Sequence, residues 1–477
     1  MTSATAQADP FLQQLHAIEQ AIAQRDLQAA ALQLNAAVKL RPADPRVYLL
    51  GSRMAEAAGN AKGAEESARN AVEVAPEWSF GLIELAFLLA RQNQFAEAIA
   101  QATKAVALAP QDLDILTRAI DIAHRAQHLA VALPWLRKAA ALAPAHLQFK
   151  QLIARDLAAL GQHNDAVAAY TELLASTAGP AQNATGHPDP APAAANPAEP
   201  AQGIASIPDE PLIQRTQALM GRARAYLALG ELAQALQDCN ALVALEPANE
   251  EFVFWQTIAR GLTPRTQPMA MVRAMHDGFA ELYDQHMVRS LHYQLPKKVG
   301  DRLLEIYPDK KFNLLDLGCG TGLVGVCVGR IDGALIGVDF STKMVEQAIR
   351  QGVYDRFHTV NLLDALEATP EWLYEVITAC DVFIYVGELT QVVPDAFRVL
   401  RPGGRFIFSC ETAGEDEADL VLRTTMRYAH KQSHIETLCM EAGFDSVQIE
   451  STHLRTENGQ PVHGYVVTAH KPVQQQA

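Results

Sequence analysis

The sequence predicts a multidomain chain: an all-α superhelix of repeated helical hairpins, followed by an α/β, Rossmann-like domain. Three observations carry this. Prolines 42, 76, 110 and 144 recur every 34 residues. From about residue 270 that period gives way to strand-like and helix-like segments in alternation. The first such strand runs into a glycine-rich turn, "LLDLGCGTGLVG", at 314–325.

The bulk numbers bound the rest. A chain of 477 residues is too long for one core. Lys plus Arg number 39 against 54 Asp plus Glu, a formal charge of −15. That excludes broad binding of nucleic acid or an anionic membrane across the whole surface. No apolar stretch approaches the ~20 residues that span a bilayer. The start, "MTSATAQADPFLQQL", has neither a basic n-region nor an apolar h-region, so the expectation is a cytoplasmic protein. Six cysteines stand at 239, 319, 327, 380, 410 and 439, none in a C-x-x-C pair, and they read as reduced. No Cys/His/Asp cluster has ligand spacing, so no metal is expected.

The 34-residue step extends beyond proline. Gly59, Asn93, Gln127 and Gly161 form one series. Ala30, Ala64, Ala98, Ala132 and Ala166 form another, and Ala37, Ala71, Ala105 and Ala139 a third. This is the signature of tetratricopeptide repeats. Alanines let two antiparallel helices approach, the Gly/Asn/Gln position takes the turn between them, and proline ends the second helix. Five repeats fit 9–178. Residues 179–211 are rich in Pro, Ala and Gly and read as a disordered linker. A sixth repeat and a capping helix follow over 212–263, with Ala223, Gly230, Ala235 and Pro247 on the same template. Such arms hold a peptide or a protein partner, or act as a spacer or dimerisation scaffold. The oligomeric state is left open.

The second half gives the expected strands 312–318, 333–341, 357–363, 374–387 and 405–411. A helix over 433–444 and two final antiparallel strands joined by "NGQPVH" complete it. The turn has G-x-G-x-G spacing at Gly318, Gly320 and Gly322, with Asp316 ahead of it. An acid at that place opposes a pyrophosphate and suits a cationic amino-acid group. Asp339, ending the second strand, suits the two hydroxyls of a ribose. S-adenosylmethionine has a ribose, a cationic end and no phosphate.

Residues 270–472 resemble a seven-stranded, class I S-adenosylmethionine-dependent methyltransferase through "LLDLGCGTG", "GVDFSTKMVEQA" and "VLRPGGRFIFS". The whole chain resembles a group of predicted bacterial methyltransferases with tetratricopeptide repeats, through "GFAELYDQHMVRSLHYQLP", "DVFIYVGEL" and "RYAHKQSHIETLCMEAGF". The resemblance implies that Gly318, Gly320, Thr321 and Gly322 lie along the methionine part, with Asp316 near its amino group. It puts Asp339 on the ribose, Phe340 and Met344 against adenine, Asn361 and Leu362 at the adenine edge, and Ala379 facing the methionine. Asn361 stands where an acid is usual.

Methyl transfer to a positioned nucleophile needs alignment and exclusion of water, not a triad. Tyr385 and His430 are the candidate catalytic residues. Tyr283, Glu388, Arg455 and His463 are the candidate substrate contacts. Tyr385 either orients the substrate or packs, and Tyr283, with Phe279, Asp284 and His286, either faces the cofactor or packs on the sheet. Each histidine is weighed against an ordinary structural role. The reading is an enzyme that methylates an acceptor, first a protein recruited by the repeat arm. The rivals are a small-molecule methyltransferase whose arm mediates assembly, and a scaffold with an inactive cofactor-binding domain. No nucleic-acid or membrane partner is expected.

Overall fold

The computed structural model describes residues 9–177, 211–280, 283, 287, 293–457 and 459–473. The linker expected at 179–211 lies outside the described residues except for Pro211, as do Asp284 and His286. Described residues up to Asp238 form one compact unit and those from Cys239 onward a second.

The first unit is built from helical hairpins: α1 (Pro10–Ala23), α2 (Leu27–Leu40), α3 (Pro45–Ala57), α4 (Ala61–Val74), α5 (Ser79–Arg91), α6 (Phe95–Leu108), α7 (Leu113–Arg125), α8 (Leu129–Leu142), α9 (Leu147–Ala159), α10 (His163–Thr177), α11 (Pro211–Ala228) and the start of α12 (Leu232–Leu245). The intra-hairpin turns fall on Gly59, Asn93, Gln127 and Gly161, whose φ values are +74°, +61°, +58° and +73°. Arg25, at +58°, is the first member of that series and was not anticipated, because arginine carries no turn signal. Asp26 and Asn60 cap the helices that follow by accepting from the backbone N–H of Ala29 and Gly63, both at 3.0 Å.

All nine alanines of the two series are fully buried. A larger side chain there forces the paired helices apart. The stack continues from α10 to α11. Gly221 lies so close to Tyr170 that a Cβ on it would stand 2.2 Å from the ring, and Arg222 donates to Thr171 Oγ1 at 3.0 Å.

The second unit begins with α13 (Glu250–Ala259), α14 (Met269–Phe279) and α15 (Leu295–Ile306). It continues as β1 (Leu314–Leu317), α16 (Leu323–Val328), β2 (Leu335–Val338), α17 (Thr342–Gln351), β3 (Arg356–His358), α18 (Leu362–Ala368), β4 (Tyr374–Ala379), α19 (Val392–Val399), β5 (Leu400–Ala413), β6 (Leu420–Leu422), β7 (Tyr428–Lys431), α20 (Gln432–Ala442), β8 (Ser446–Glu457) and β9 (Gln460–His470). A seven-strand path runs β3-β2-β1-β4-β5-β9-β8, parallel from β3 to β5, with β9 antiparallel to both neighbours.

Side chains alternate between two cores. Leu315, Ile377, Phe406 and Phe408 join α18, α19 and α20 on one face. Leu314, Val376 and Ile407 join α15 and α16 on the other. Helices on both faces explain why these strands read as unbroken apolar runs.

Three expectations need correction. The strand expected over 357–363 ends at His358, because Asn361 caps α18 by accepting from Leu363 N at 3.0 Å. The strand expected over 374–387 ends at Ala379; Asp381 takes a left-handed φ of +60° and breaks the ladder. Beyond the seven strands there is a further pair, β6 and β7, which hangs on the last residues of β5. No helix among the described residues is long and apolar enough to cross a membrane.

Candidate functional site

The site lies at the carboxyl ends of the parallel strands, where such sheets leave a crevice. After β1 the chain turns through Gly318, Gly320 and Gly322, with φ of +63°, +53° and +87°. A Cβ on Gly318 would stand 2.4 Å from Val382 Cγ2, so the turn closes on the loop after β4 only with glycine there. Gly320 is different: nothing stands within 4 Å of where its Cβ would be. That open backbone is the surface a ligand can approach. Thr321 and Cys319 are buried inside the turn, and burial pushes the Cys319 thiol far above its usual range, which suits filling rather than nucleophilic attack.

Asp339 follows β2. Its Oδ2 accepts from Gly320 N at 2.9 Å and its Oδ1 from Ser341 N at 2.8 Å. Each oxygen keeps a further lone pair for a ligand hydroxyl. Burial pushes its pKa up to about 6, against the two backbone donors. Asp316 lies deeper. Tyr354 Oη donates to one of its oxygens at 2.6 Å and Thr378 Oγ1 to the other at 2.7 Å. Tyr354 Oη also accepts from Gly325 N at 3.1 Å. The carboxylate expected near a ligand amino group is thus tied under the turn, and burial raises its pKa to about 6.

Phe340 follows Asp339, with Arg273 of α14 above its ring at 5.9 Å and the His276 ring at 6.0 Å. Met344 is buried in the first turn of α17, its N–H donating to Ser341 Oγ. Ser341 Oγ in turn donates to Asp277 of α14. Asn361 donates from Nδ2 to Met269 Sδ at 3.1 Å, and its amide oxygen already caps α18. Leu362 is buried behind it, and Ala379 ends β4 fully buried. α14 therefore touches Phe340, Ser341 and Asn361 together. None of its residues here, His276, Arg273 or Asp277, was anticipated, because no spacing on a helix announces which face meets a sheet end.

Tyr385 stands in the loop after β4, edge-on to His276 at 5.1 Å. Burial pushes the His276 pKa down to about 4, so the ring is neutral near pH 7. Burial also raises the phenol of Tyr283, in the field of Tyr385 and Asp381. Glu388 is drawn outward: Arg265 Nε lies 3.0 Å from its carboxylate and Arg265 O accepts its N–H at 2.7 Å. His463 is exposed on β9 opposite His453. His430 is buried on β7, with Nε2 donating to Gly387 O at 2.6 Å.

Arg455, a candidate substrate contact, is fully enclosed with every guanidinium nitrogen on a carboxylate. Nη1 meets Asp381 at 2.8 Å, Nε meets Glu457 at 2.6 Å, and Nη2 meets Glu411. Glu457 also pairs with Arg427. This network ties β8, β5 and the loop carrying Tyr385. Among the described residues no group of three or more His, Cys, Asp or Glu is placed to hold a metal ion.

Residues 315–408 match the family described as methyltransferase domain, and residues 83–146 match tetratricopeptide repeat. Similar curated proteins include 27-O-demethylrifamycin SV methyltransferase of Amycolatopsis mediterranei, 30% identical, with 27% of this chain and 54% of that protein covered. Ubiquinone biosynthesis O-methyltransferase of Paracidovorax citrulli is 25% identical, covering 34% of this chain and 74% of that protein. The chain thus spans about half the length of the first of these relatives. A crystal structure of magnesium protoporphyrin IX methyltransferase from Synechocystis PCC 6803 with bound SAH is 18% identical at a TM-score of 0.34, covering 42% of this chain and 98% of that one.

Proposed function

We propose that this chain, which carries tetratricopeptide repeats ahead of a methyltransferase domain, transfers the methyl group of S-adenosylmethionine to a small-molecule acceptor. The observation that carries the reading is the Asp339 carboxylate fastened to the open backbone of Gly320 at 2.9 Å. That pair fits a ribose beside an unobstructed turn. Asp339 would take the ribose hydroxyls, Phe340 and Met344 the adenine, and the turn from Gly318 to Gly322 the methionine part. Asp316 holds that turn through Tyr354. When bound, S-adenosylmethionine supplies an electrophilic methyl on a sulfonium, whose departure needs no acid. This chain's own residues then orient and exclude water: Tyr385 and His276 wall the loop after β4, and the Arg455 network keeps that loop in place.

A small acceptor is favoured because the curated relatives' names include small-molecule methyltransferases. The repeat arm would dock a protein partner. A second reading, in which that partner is itself methylated, is favoured by the joining of the arm to the domain. The test uses methyl-labelled S-adenosylmethionine, the full chain and a cell lysate, with Asp339→Ala as the blank. Label in small molecules alone supports the first reading. Label in one protein band supports the second. No label above the blank sinks both and leaves a cofactor-binding scaffold.

A further inference from the structure

Helix α16 starts at Gly322, which has no side chain to cap it. The missing acceptor comes from Tyr354, in the connection between α17 and β3. Gly325 N, in the first turn of α16, donates to Tyr354 Oη at 3.1 Å. The same oxygen gives its one hydrogen to Asp316 Oδ2 at 2.6 Å. A single phenol oxygen therefore joins Asp316 of β1 to Gly325 of α16. Gly318, Gly320 and Gly322 lie in the chain between those two ends.

The ring is fitted to that place. It lies against Phe357, with 4.9 Å between ring centroids. A Cβ on Gly325 would stand 2.4 Å from its Cε2, and one on Gly322 would stand 3.0 Å away. These two glycines leave the room that the ring fills.

Thr378 Oγ1 donates to the other oxygen of Asp316 at 2.7 Å. Burial keeps the Tyr354 phenol protonated, so both hydrogen-bond partners of the carboxylate are neutral hydroxyls. The other titratable groups around it are Asp339 at the end of β2, Cys319 in the turn and Cys380 after β4, and none of them is a cation. Burial opposes the ionised form of Asp316, and the two hydroxyl donors favour it. A ligand ammonium is the positive partner that such a carboxylate suits.

We propose that Tyr354 is a positioning residue for the amino-acid end of S-adenosylmethionine, acting through Asp316 and the backbone of the turn. This rests on the methyltransferase reading and divides its cofactor in two. On that reading Phe340, Met344 and Asp339 hold the adenine and the ribose. Without the phenol oxygen, the first turn of α16 loses an anchor and Asp316 loses a donor that favours its charge. Both losses fall at the turn, where the methionine part lies.

The experiment is calorimetric titration of the full chain with two probes. S-adenosylhomocysteine carries the amino-acid end. Methylthioadenosine keeps adenine, ribose and a thioether sulfur but lacks that end. Tyr354→Phe keeps the ring and removes one oxygen, so it should fold. Near pH 7 it should bind S-adenosylhomocysteine about tenfold more weakly than wild type and methylthioadenosine as well as wild type does. The pH below which S-adenosylhomocysteine affinity falls should move up by about one unit, because protonated Asp316 is favoured in the variant. The methylthioadenosine profile should not move. Thr378→Val removes the other donor to Asp316 and leaves Gly325 held, and it should move the S-adenosylhomocysteine profile the same way. Equal weakening of both probes means a merely structural bond and overturns the proposal. Unchanged S-adenosylhomocysteine affinity in Tyr354→Phe, or a pH profile that neither variant moves, overturns it too. Wild type that binds neither probe sinks the methyltransferase reading and the proposal together. Wild type that binds both, with the variants unaltered, sinks the proposal alone.

Discussion

Asp339 Oδ2 accepts the backbone N–H of Gly320 at 2.9 Å, across nineteen residues of sequence. The bond joins the end of β2 to the turn after β1. It makes one carboxylate both a fastener of the turn and an acceptor that still has lone pairs to offer.

Asp339→Ala should therefore weaken S-adenosylhomocysteine binding by about 1–3 kcal/mol, since a charged acceptor is lost from the ribose. Calorimetric titration measures it. Unchanged affinity would show that the ribose lies elsewhere.

The two buried acids make binding and stability respond to pH with opposite signs. Burial raises Asp316 and Asp339 each to about 6, above the usual carboxylate range. A raised carboxyl pKa means that folding favours the protonated form. The contribution to stability of the unliganded chain is full below the unfolded pKa and is lost as pH rises through about 6. Ligand hydroxyls want the ionised form, so affinity for S-adenosylhomocysteine should fall as pH drops through about 6. Titrations on either side of that value, with melting of the unliganded chain, check both signs.

Gly318→Ala places a Cβ 2.4 Å from Val382 Cγ2 at a φ of +63°. The left-handed backbone alone costs about 1–3 kcal/mol. The variant should melt lower and bind S-adenosylhomocysteine more weakly. Gly352→Ala, also at positive φ but in open space, separates backbone strain from contact.

Arg455→Met should cost about 3–5 kcal/mol, because three carboxylates lose their shared cation in the interior. Arg455→Lys keeps the charge but reaches fewer partners, so chemical denaturation should place it between wild type and Arg455→Met. Equal stability of all three would mean the network is idle.

Much of this was legible in one dimension. The 34-residue series works because each repeat meets the same local demand: a left-handed turn at Gly59, Asn93, Gln127 and Gly161, and a methyl-sized contact at the buried alanines. The glycine turn and the acid ending β2 are local in the same sense. The pairing of Arg455 was not legible, because Glu411 comes from β5 and Asp381 from the loop after β4. Asn361 was placed in a strand because its capping bond is visible only once α18 has formed.

Sequence alone determined the repeat arm, the parallel sheet, the glycine turn and the two strand-end acids, because periodicity, turn chemistry and strand ends are short-range properties of the chain. Tertiary structure decided which groups answer those acids, that α14 meets Phe340 and Ser341, and that His430 on β7 donates to Gly387 O. Those are long-range pairings, set by how buried polar groups find partners when the sheet closes, and no local pattern encodes them.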